Sequence, residues 1–271
     1  MAYNYRQINY EVMLDTKQCY ETIPELIEAV EQSIANQFMV AEEENIDQSI
    51  PNVINTKYLV SGKRSFEAAK AYDGKKVAVL NYANNHSIGG APFSDSAQEE
   101  SLCRCSTLLP CLEAMRDPFY QKHRNQYSSH QMDFMGNDDL IYTPDIVVFK
   151  TDERTQPVYP RMMNRDEWYK VNVITCAAPQ LFGTVVRPTN YIDVISSRIK
   201  KILDVAAKEH NEVVILGAWG CGAFKNPIEI VAKVFVDLIR NYDFEIVEFA
   251  LATTNDVRSS AFARYLRENA E

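Results

Sequence analysis

Two adjacent glutamates, Glu99 and Glu100, are the residues of this sequence best suited to acid–base chemistry. They follow a glycine-containing loop at residues 84–97, NNHSIGGAPFSDSA, and stand at the start of a predicted helix over residues 98–115. Neighbouring residues on a helix point about 100° apart, so the two carboxyl groups are expected to have different roles. A catalytic acid also needs a raised pKa, which burial or a nearby negative charge provides.

A purely structural explanation of the glutamate pair stays open at this point. Ser94, Asp95 or Ser96 is predicted to cap the helix. Carboxylates in the first turn of a helix are stabilised by the helix dipole, and many helices begin with such charges for that reason alone.

A second glycine loop, GCGAFKNP at residues 220–227, follows the β-rich run EVVILGAW and precedes a predicted helix. Free N–H groups at such a helix start can bind an anion. Neither loop matches GxxxxGK[ST] or GxGxxG, the mononucleotide and dinucleotide patterns. Two glycine loops at two strand ends suggest a divided phosphate site, as for a diphosphate, although both can equally be tight turns.

The elements that position these loops alternate along the chain, which predicts an α/β fold with a mixed or largely parallel sheet between helix layers. In such folds ligands bind at the carboxyl ends of the strands. Strands are predicted at residues 77–83, 145–150, 171–179, 212–219 and 246–253, and helices at residues 66–72, 98–115, 191–210, 227–242 and 257–269. The polar, aromatic-rich stretch 116–168 is predicted to include long loops.

The first fifty residues are predicted to form a helical extension, residues 1–50, attached to a main domain of residues 51–271. Residues 25–45 have apolar residues at helical spacing with no glycine or proline, which indicates one long amphipathic helix. Pro51 marks its end.

Charge, hydropathy and cysteine spacing argue against nucleic-acid binding, secretion, a membrane partner and a zinc site. A net charge of −9 argues against general nucleic-acid binding. No secretory signal and no apolar run of about 20 residues is found, so a cytoplasmic protein without a membrane partner is expected. Cys103, Cys105 and Cys111 lack the spacing of a zinc site and are predicted to be buried thiols.

The segment LNYANNHSIGGAPFSDSAQEESLCRCSTLLPCL resembles the signature of microbial-type poly(ADP-ribose) glycohydrolases, which have a macrodomain fold. The family pattern is GGG, six to eight residues, then QEE. This chain has Gly89-Gly90-Ala91, six residues, then Gln98-Glu99-Glu100. The resemblance continues through TPDIVVFK, VNVITCAAP and VVILGAWGCGAFKNP, and covers roughly residues 53–255.

This resemblance implies hydrolysis of the O-glycosidic ribose bonds of poly(ADP-ribose) or related ADP-ribosylated substrates. Glu100 would act as general acid and then base, and Glu99 would orient the substrate through its ribose hydroxyls. No metal or other cofactor is implied. The residues implied to bind ADP-ribose are Asn81, Asn84, Ser87, Ile88, Gly89, Gly90, Ala91, Gln98, Gly220, Cys221, Gly222, Ala223 and Phe224. Among them, Phe224 would press on the distal ribose.

One departure from the family pattern keeps alternatives open. Ala91 replaces the third glycine, which would be strained if that position required a positive φ. A reader module that binds ADP-ribose without turnover and a mono-ADP-ribosyl hydrolase are therefore alternatives, and so is a partner-binding protein whose cleft is vestigial. The adenine contacts are expected near residues 60–66 and 253–255.

Overall fold

The computed structural model describes residues 4–46, 55–152, 160–182, 186–252 and 257–268. This part of the chain is a mixed α/β structure, and the predicted fold class is confirmed. The strands of its sheet are β1 (Phe38–Val40), β2 (Lys57–Ser61), β3 (Val77–Ala83), β4 (Leu140–Val148), β5 (Tyr169–Ala177), β6 (Val213–Leu216) and β7 (Ile246–Ala250). Its α-helices are α1 (Tyr5–Thr22), α2 (Pro24–Asn36), α3 (Ser65–Lys70), α4 (Gln98–Cys105), α5 (Leu108–Ala114), α6 (Lys122–Ser128), α7 (Tyr191–Lys208), α8 (Ile228–Ile239) and α9 (Val257–Glu268). A π-helix over Arg116–Gln121 and a 3₁₀ turn over Arg165–Glu167 complete the helical segments of the described residues.

The sheet has the strand order β1-β4-β5-β3-β6-β7-β2 in the described chain. Strands β5, β3, β6, β7 and β2 are parallel to one another, whereas β4 is antiparallel to both β1 and β5. The carboxyl ends of the five parallel strands therefore meet at one edge, where both glycine loops emerge.

Helices cover both faces of the sheet, and successive side chains of β3 point alternately into the cores on the two faces. Ala78 and Leu80 pack in a core with residues of α7, α8 and α9. Val77 and Val79 pack in a second core with residues of α1 to α5. By the same period of two, Asn81 faces the layer that contains α4.

The predicted single helix over residues 25–45 is wrong beyond Asn36. Helix α2 ends there, Gln37 adopts an extended conformation, and Phe38 pairs with Tyr142 as part of β1. An aromatic and β-branched run that can join a sheet edge outweighs helical periodicity in this segment. Helix α1 was not predicted. The division of the chain at residue 50 stays a prediction.

The predicted helix over residues 98–115 is two helices in the structure. Ser106 is extended and forms a bridge with Val148, and the Thr107 N–H donates to the Val147 carbonyl at 3.1 Å. Contact with the strand thus interrupts the helix between α4 and α5. The prediction of long loops over residues 116–168 missed the π-helix, α6 and the first residues of β4, and β2 was also missed.

Cys103, Cys105 and Cys111 are fully buried, as predicted, and pack in the core between the sheet and α1 to α5. Within the described residues, no helix combines the length and the apolar character needed to cross a bilayer.

Candidate active site

A cleft of about 640 Å³ lies at the carboxyl ends of the parallel strands. It brings together nine of the residues predicted from the sequence, namely Asn84, Gly90, Gln98, Glu99, Glu100, Gly220, Gly222, Ala223 and Phe224. Both glycine loops and both glutamates therefore share one cavity. The other predicted site residues do not line it, and these are Asn81, Ser87, Ile88, Gly89, Ala91 and Cys221.

Helix α4 begins at the cleft without the cap that the sequence predicted. Its N-cap residue is Ala97, and no side chain bonds to the first amides from that position. Ser94, Asp95 and Ser96 are therefore not caps. They belong to the segment that leads into the helix, and Asp95 and Ser96 line the cleft.

The side chain of Gln98 fixes the start of α4 against β3. Its Nε2 donates to the Leu80 carbonyl at 2.8 Å, and its Oε1 accepts from the Tyr82 N–H at 2.9 Å. Nε2 also donates to Ser65 Oγ at 3.0 Å. The amide thus contacts the backbone of β3 much as a neighbouring strand would, so the structure gives Gln98 a positioning role.

Glu99 is 3% exposed and hydrogen-bonded at both oxygens. Oε1 accepts from Asn81 Nδ2 at 3.2 Å, and Oε2 accepts from the Asn84 N–H at 2.9 Å. Burial raises the pKa of the Glu99 carboxyl to about 8, against the lowering effect of these two bonds, and the nearby Glu100 charge adds a smaller increase. Asn81 itself is fully buried behind Glu99.

Glu100 is 7% exposed, and one of its oxygens is left unpaired. Oε1 accepts from the Ala91 N–H at 3.2 Å. Oε2 is buried and has no hydrogen-bond partner among the residues that the structure describes. A buried carboxyl oxygen without a partner is costly in a folded protein, and such atoms commonly serve a ligand or a reaction.

The glycine loop approaches this carboxyl group closely at Gly90. Gly90 has a φ of +69°, and a Cβ on it would overlap Glu100 Oε1. The amides of Ser87, Gly90 and Ala91 are bonded to Asn84 Oδ1, to the Ser87 carbonyl and to Glu100 respectively. Much of this loop is therefore held by bonds within the protein.

Ala91 occupies its position without backbone strain. The positive-φ residues of this loop are Gly89 and Gly90, and Ala91 is not among them. The third position of the glycine triplet thus does not need glycine here, and the amide of Ala91 still reaches Glu100. The departure from the family pattern leaves the loop intact.

The second glycine loop presents free amides to the cleft. Among the described residues, no acceptor is bonded to the N–H groups of Gly222, Ala223 or Phe224. Asn226 holds the loop in place, because its Nδ2 donates to the carbonyls of Pro179 at 2.8 Å and Gly220 at 3.0 Å. This arrangement is suited to an anion at the start of α8.

The sequence reasoning placed some residues of the cleft only within a broad stretch and missed others. Arg64 and Ser65 line one end, where Arg64 Nε lies 3.0 Å from Asp152 Oδ1. Both fall within residues 60–66, the stretch expected near adenine, whereas residues 253–255 lie outside the described residues. Asp152 and Arg258 had no local signal, since neither belongs to a motif and the fold alone brings them to the cleft.

Comparisons with known proteins identify the family of the chain. A family model described as the catalytic domain of microbial-type PARG matches residues 8–151. The chain belongs to this family. It is a glycosidase of the poly(ADP-ribose) glycohydrolase type. A comparison with curated proteins found no match.

Solved structures of bacterial family members are similar over most of the chain. The poly(ADP-ribose) glycohydrolase of Thermomonospora curvata is 28% identical with a TM-score of 0.80, over 95% of this chain and 98% of that one. The same enzyme bound to the inhibitor ADP-HPD is 28% identical with a TM-score of 0.77, over 94% and 98% of the two chains. The enzyme of Deinococcus radiodurans in complex with ADP-ribose is 27% identical with a TM-score of 0.76, over 89% and 98%.

Proposed function

We propose that this protein removes ADP-ribose from poly(ADP-ribose), with Glu100 as the general acid and base. The observation that carries the proposal is the position of Glu100. Its unpaired buried oxygen lies in the same cleft as the free amides of the second glycine loop. A carboxyl group and an anion site in one cavity match a substrate that has a glycosidic bond close to a diphosphate.

The diphosphate is assigned to the amides of Gly222, Ala223 and Phe224, at the positive end of α8. This loop supplies backbone donors, so no broad positive surface is needed in a protein with a net charge of −9. The distal ribose then lies between Phe224 and Gly90, which line the cleft together with Glu100. The Deinococcus radiodurans enzyme in complex with ADP-ribose supports this class of ligand.

In the reaction, Glu100 protonates the oxygen that leaves the anomeric carbon of the distal ribose. An oxocarbenium-like species forms, and a water molecule deprotonated by the same carboxylate attacks it. Many glycosidases divide the acid and base roles between two separated carboxyl groups. Here one carboxyl group acts first as acid and then as base, because its adjacent neighbour is bonded to Asn81 and Asn84.

Glu99 is assigned to substrate orientation through the ribose hydroxyls. Because burial raises its pKa to about 8, the site can hold a proton at neutral pH instead of two full negative charges. This lowers the repulsion that a bound diphosphate would meet in the same cleft.

The test compares Glu100→Gln with Glu99→Gln, two substitutions of equal size on adjacent residues. Glu100→Gln is expected to abolish release of ADP-ribose from poly(ADP-ribose), a loss of roughly 10²- to 10⁴-fold or more. Its affinity for ADP-ribose, measured by calorimetry, should stay near that of the unmutated protein. Glu99→Gln is expected to weaken both binding and rate. Full turnover by Glu100→Gln would exclude the mechanism.

The substrate is tested with poly(ADP-ribose) and a mono-ADP-ribosylated protein side by side. Turnover of the polymer supports the proposal, and turnover restricted to the mono-ADP-ribosylated protein contradicts it. Binding of ADP-ribose with no turnover of either substrate would make the protein a reader.

A further inference from the structure

Helix α1 contacts the segment that joins the glycine loop to the catalytic helix, where the Tyr10 ring packs near Phe93 and Asn9 supplies the hydrogen bonds. Asn9 is 8% exposed, and its Nδ2 lies at 3.1 Å from the Ser94 carbonyl, 3.0 Å from the Asp95 carbonyl and 2.8 Å from Ser96 Oγ. Three acceptors on three consecutive residues thus converge on one amide group.

The same segment is held from the opposite direction by α4 itself. Arg104, which is 4% exposed, donates from Nη1 to the carbonyls of Pro92 and Asp95, both at 2.7 Å. The Asp95 carbonyl therefore accepts from both Asn9 and Arg104. Through this carbonyl, side chains of both α1 and α4 are bonded to the wall of the cleft.

These bonds have a particular importance because α4 has no side-chain cap. A capping residue normally fixes the direction in which a chain enters a helix. Here Ala97 cannot do so, and Asp95, Ser96 and Ala97 are exposed residues that line the cleft. The path of the chain into the helix that carries Glu99 and Glu100 is therefore held by Asn9 of α1 and Arg104 of α4 instead of by an N-cap side chain.

We infer that Asn9 is a positioning residue for the reaction, which sets the placement of Glu100 by fixing the segment before α4. The inference rests on the proposed function of Glu100. Asn9 does not line the cleft, so we expect it to act through the residues to which it is bonded, 94–96. Displacement of a catalytic group by about 1 Å is enough to lower a rate by roughly a hundredfold.

The test substitutes Asn9→Asp and compares it with Asn211→Asp. Both asparagines are buried, and both donate from Nδ2 to backbone carbonyls, in the case of Asn211 to the Ala206 carbonyl at 2.9 Å. Asn211 precedes β6 at the edge of the sheet opposite the cleft. The two variants lose the same chemical group at the same depth of burial, but only one of them is next to the catalytic helix.

Asn9→Asp is expected to lower kcat on poly(ADP-ribose) by at least about tenfold, while the Kd for ADP-ribose changes by less than about threefold, because the amides assigned to the diphosphate lie on the other wall. Asn211→Asp should keep kcat within about twofold, although it also lowers the melting temperature. Equal kcat losses in the two variants, or an unchanged kcat in Asn9→Asp, would refute the inference. Asn9→Ala replaces Asn9→Asp if the carboxylate prevents folding.

A second measurement separates this inference from the proposed function. The amides of Ser94 and Asp95, which donate to the Ala91 carbonyl at 3.0 and 2.9 Å, report the order of the segment without any need for activity. Their hydrogen exchange should become faster in Asn9→Asp and stay unchanged in Asn211→Asp. An inactive unmutated protein with this exchange result would refute the proposed function alone. Unchanged exchange in Asn9→Asp would refute the positioning role, whatever the activity.

Discussion

Gly90 is the residue that allows the glycine loop and the Glu100 carboxyl group to share one small volume. Its φ is +69°, and the space where a side chain would begin is filled by Glu100 Oε1. Both the conformation and the contact therefore exclude a side chain here. Gly222 differs, since its Cβ position has no atom within 4 Å.

Gly90→Ala is expected to destabilise the fold by about 1–2 kcal/mol from backbone conformation alone. It should also reduce turnover strongly, because the Glu100 carboxyl must move to avoid the methyl group. Gly222→Val is the matched comparison on the opposite loop. It should leave the melting temperature nearly unchanged and weaken ADP-ribose binding, since its side chain would enter the space that we assign to the phosphate. Thermal melts measure the stability of both variants, and calorimetry measures their affinity for ADP-ribose. A normal kcat in Gly90→Ala would contradict the functional importance of the close contact between Gly90 and the Glu100 carboxyl group.

At the scale of elements, the start of α4 is fixed by three side-chain bonds of Gln98. These bonds connect α4 to β3 and to Ser65 at the start of α3. Loss of the amide would leave backbone groups of Leu80 and Tyr82 without partners at the edge of the cleft. Helix α4, which carries Glu99 and Glu100, is therefore attached to the sheet by the residue next to the glutamate pair.

Gln98→Leu is expected to lower the free energy of unfolding by about 1–3 kcal/mol, the cost of leaving partly buried polar groups unpaired. Gln121→Leu is the control, because Gln121 is exposed and bonds only to the nearby helical residues Arg124 and Asn125. Its effect should stay within about 0.5 kcal/mol. Urea denaturation measures the free energy of unfolding of the two variants. Similar losses in both would contradict the role of Gln98 in attaching α4 to β3.

The elements also show which features a sequence can predict. The apolar run at residues 77–83 predicted β3 with its observed ends. A strand buried on both faces has a continuous apolar sequence, which can be recognised without knowledge of the tertiary fold. The end of α2 at Asn36 was missed because Phe38 pairs with Tyr142, a residue far along the chain. The contacts of Asn9 could not be predicted for the same reason, because its partners at residues 94–96 are brought to it only by the packing of α1 on α4.

The candidate site also has some features that the sequence predicted and others that only the structure shows. The two glycine loops and the glutamate pair were predicted from motif and resemblance, and nine of those residues line the cleft. Geometry was needed to place Asn81 behind Glu99 and to show that Ala91 is unstrained. Backbone φ and burial depend on the tertiary fold, so a motif alone cannot supply them.

At the scale of the whole molecule, Glu99 links the active site to stability. The folded protein keeps a proton on this carboxyl to about pH 8, whereas an unfolded glutamate loses it near its ordinary pKa of 4.5. The folded state therefore binds one more proton between these values. Its stability falls as the pH rises from about 4.5 to about 8 and levels off above that range, because then both states have lost the proton.

Glu99→Gln keeps the size of the side chain and cannot ionise. The melting temperature of this variant relative to the unmutated protein is therefore expected to rise progressively from about pH 5 to about pH 8. Thermal melts across this range, without ligand, provide the measurement. A difference in melting temperature that does not change with pH would mean that Glu99 is ionised throughout.

The outer position of β2 has a consequence for the order in which the nascent chain can fold. Lys57 of β2 pairs with Ile246 of β7, and β2 has no other neighbour in the described sheet. During synthesis β2 leaves the ribosome well before β7, and it has no strand of the described sheet to join until β7 has emerged. Pairing over such a sequence separation is slow. Because Arg64 follows β2 and Ala252 follows β7, this wall of the cleft forms only after both strands have been made, so we expect activity to appear only after β7 has emerged.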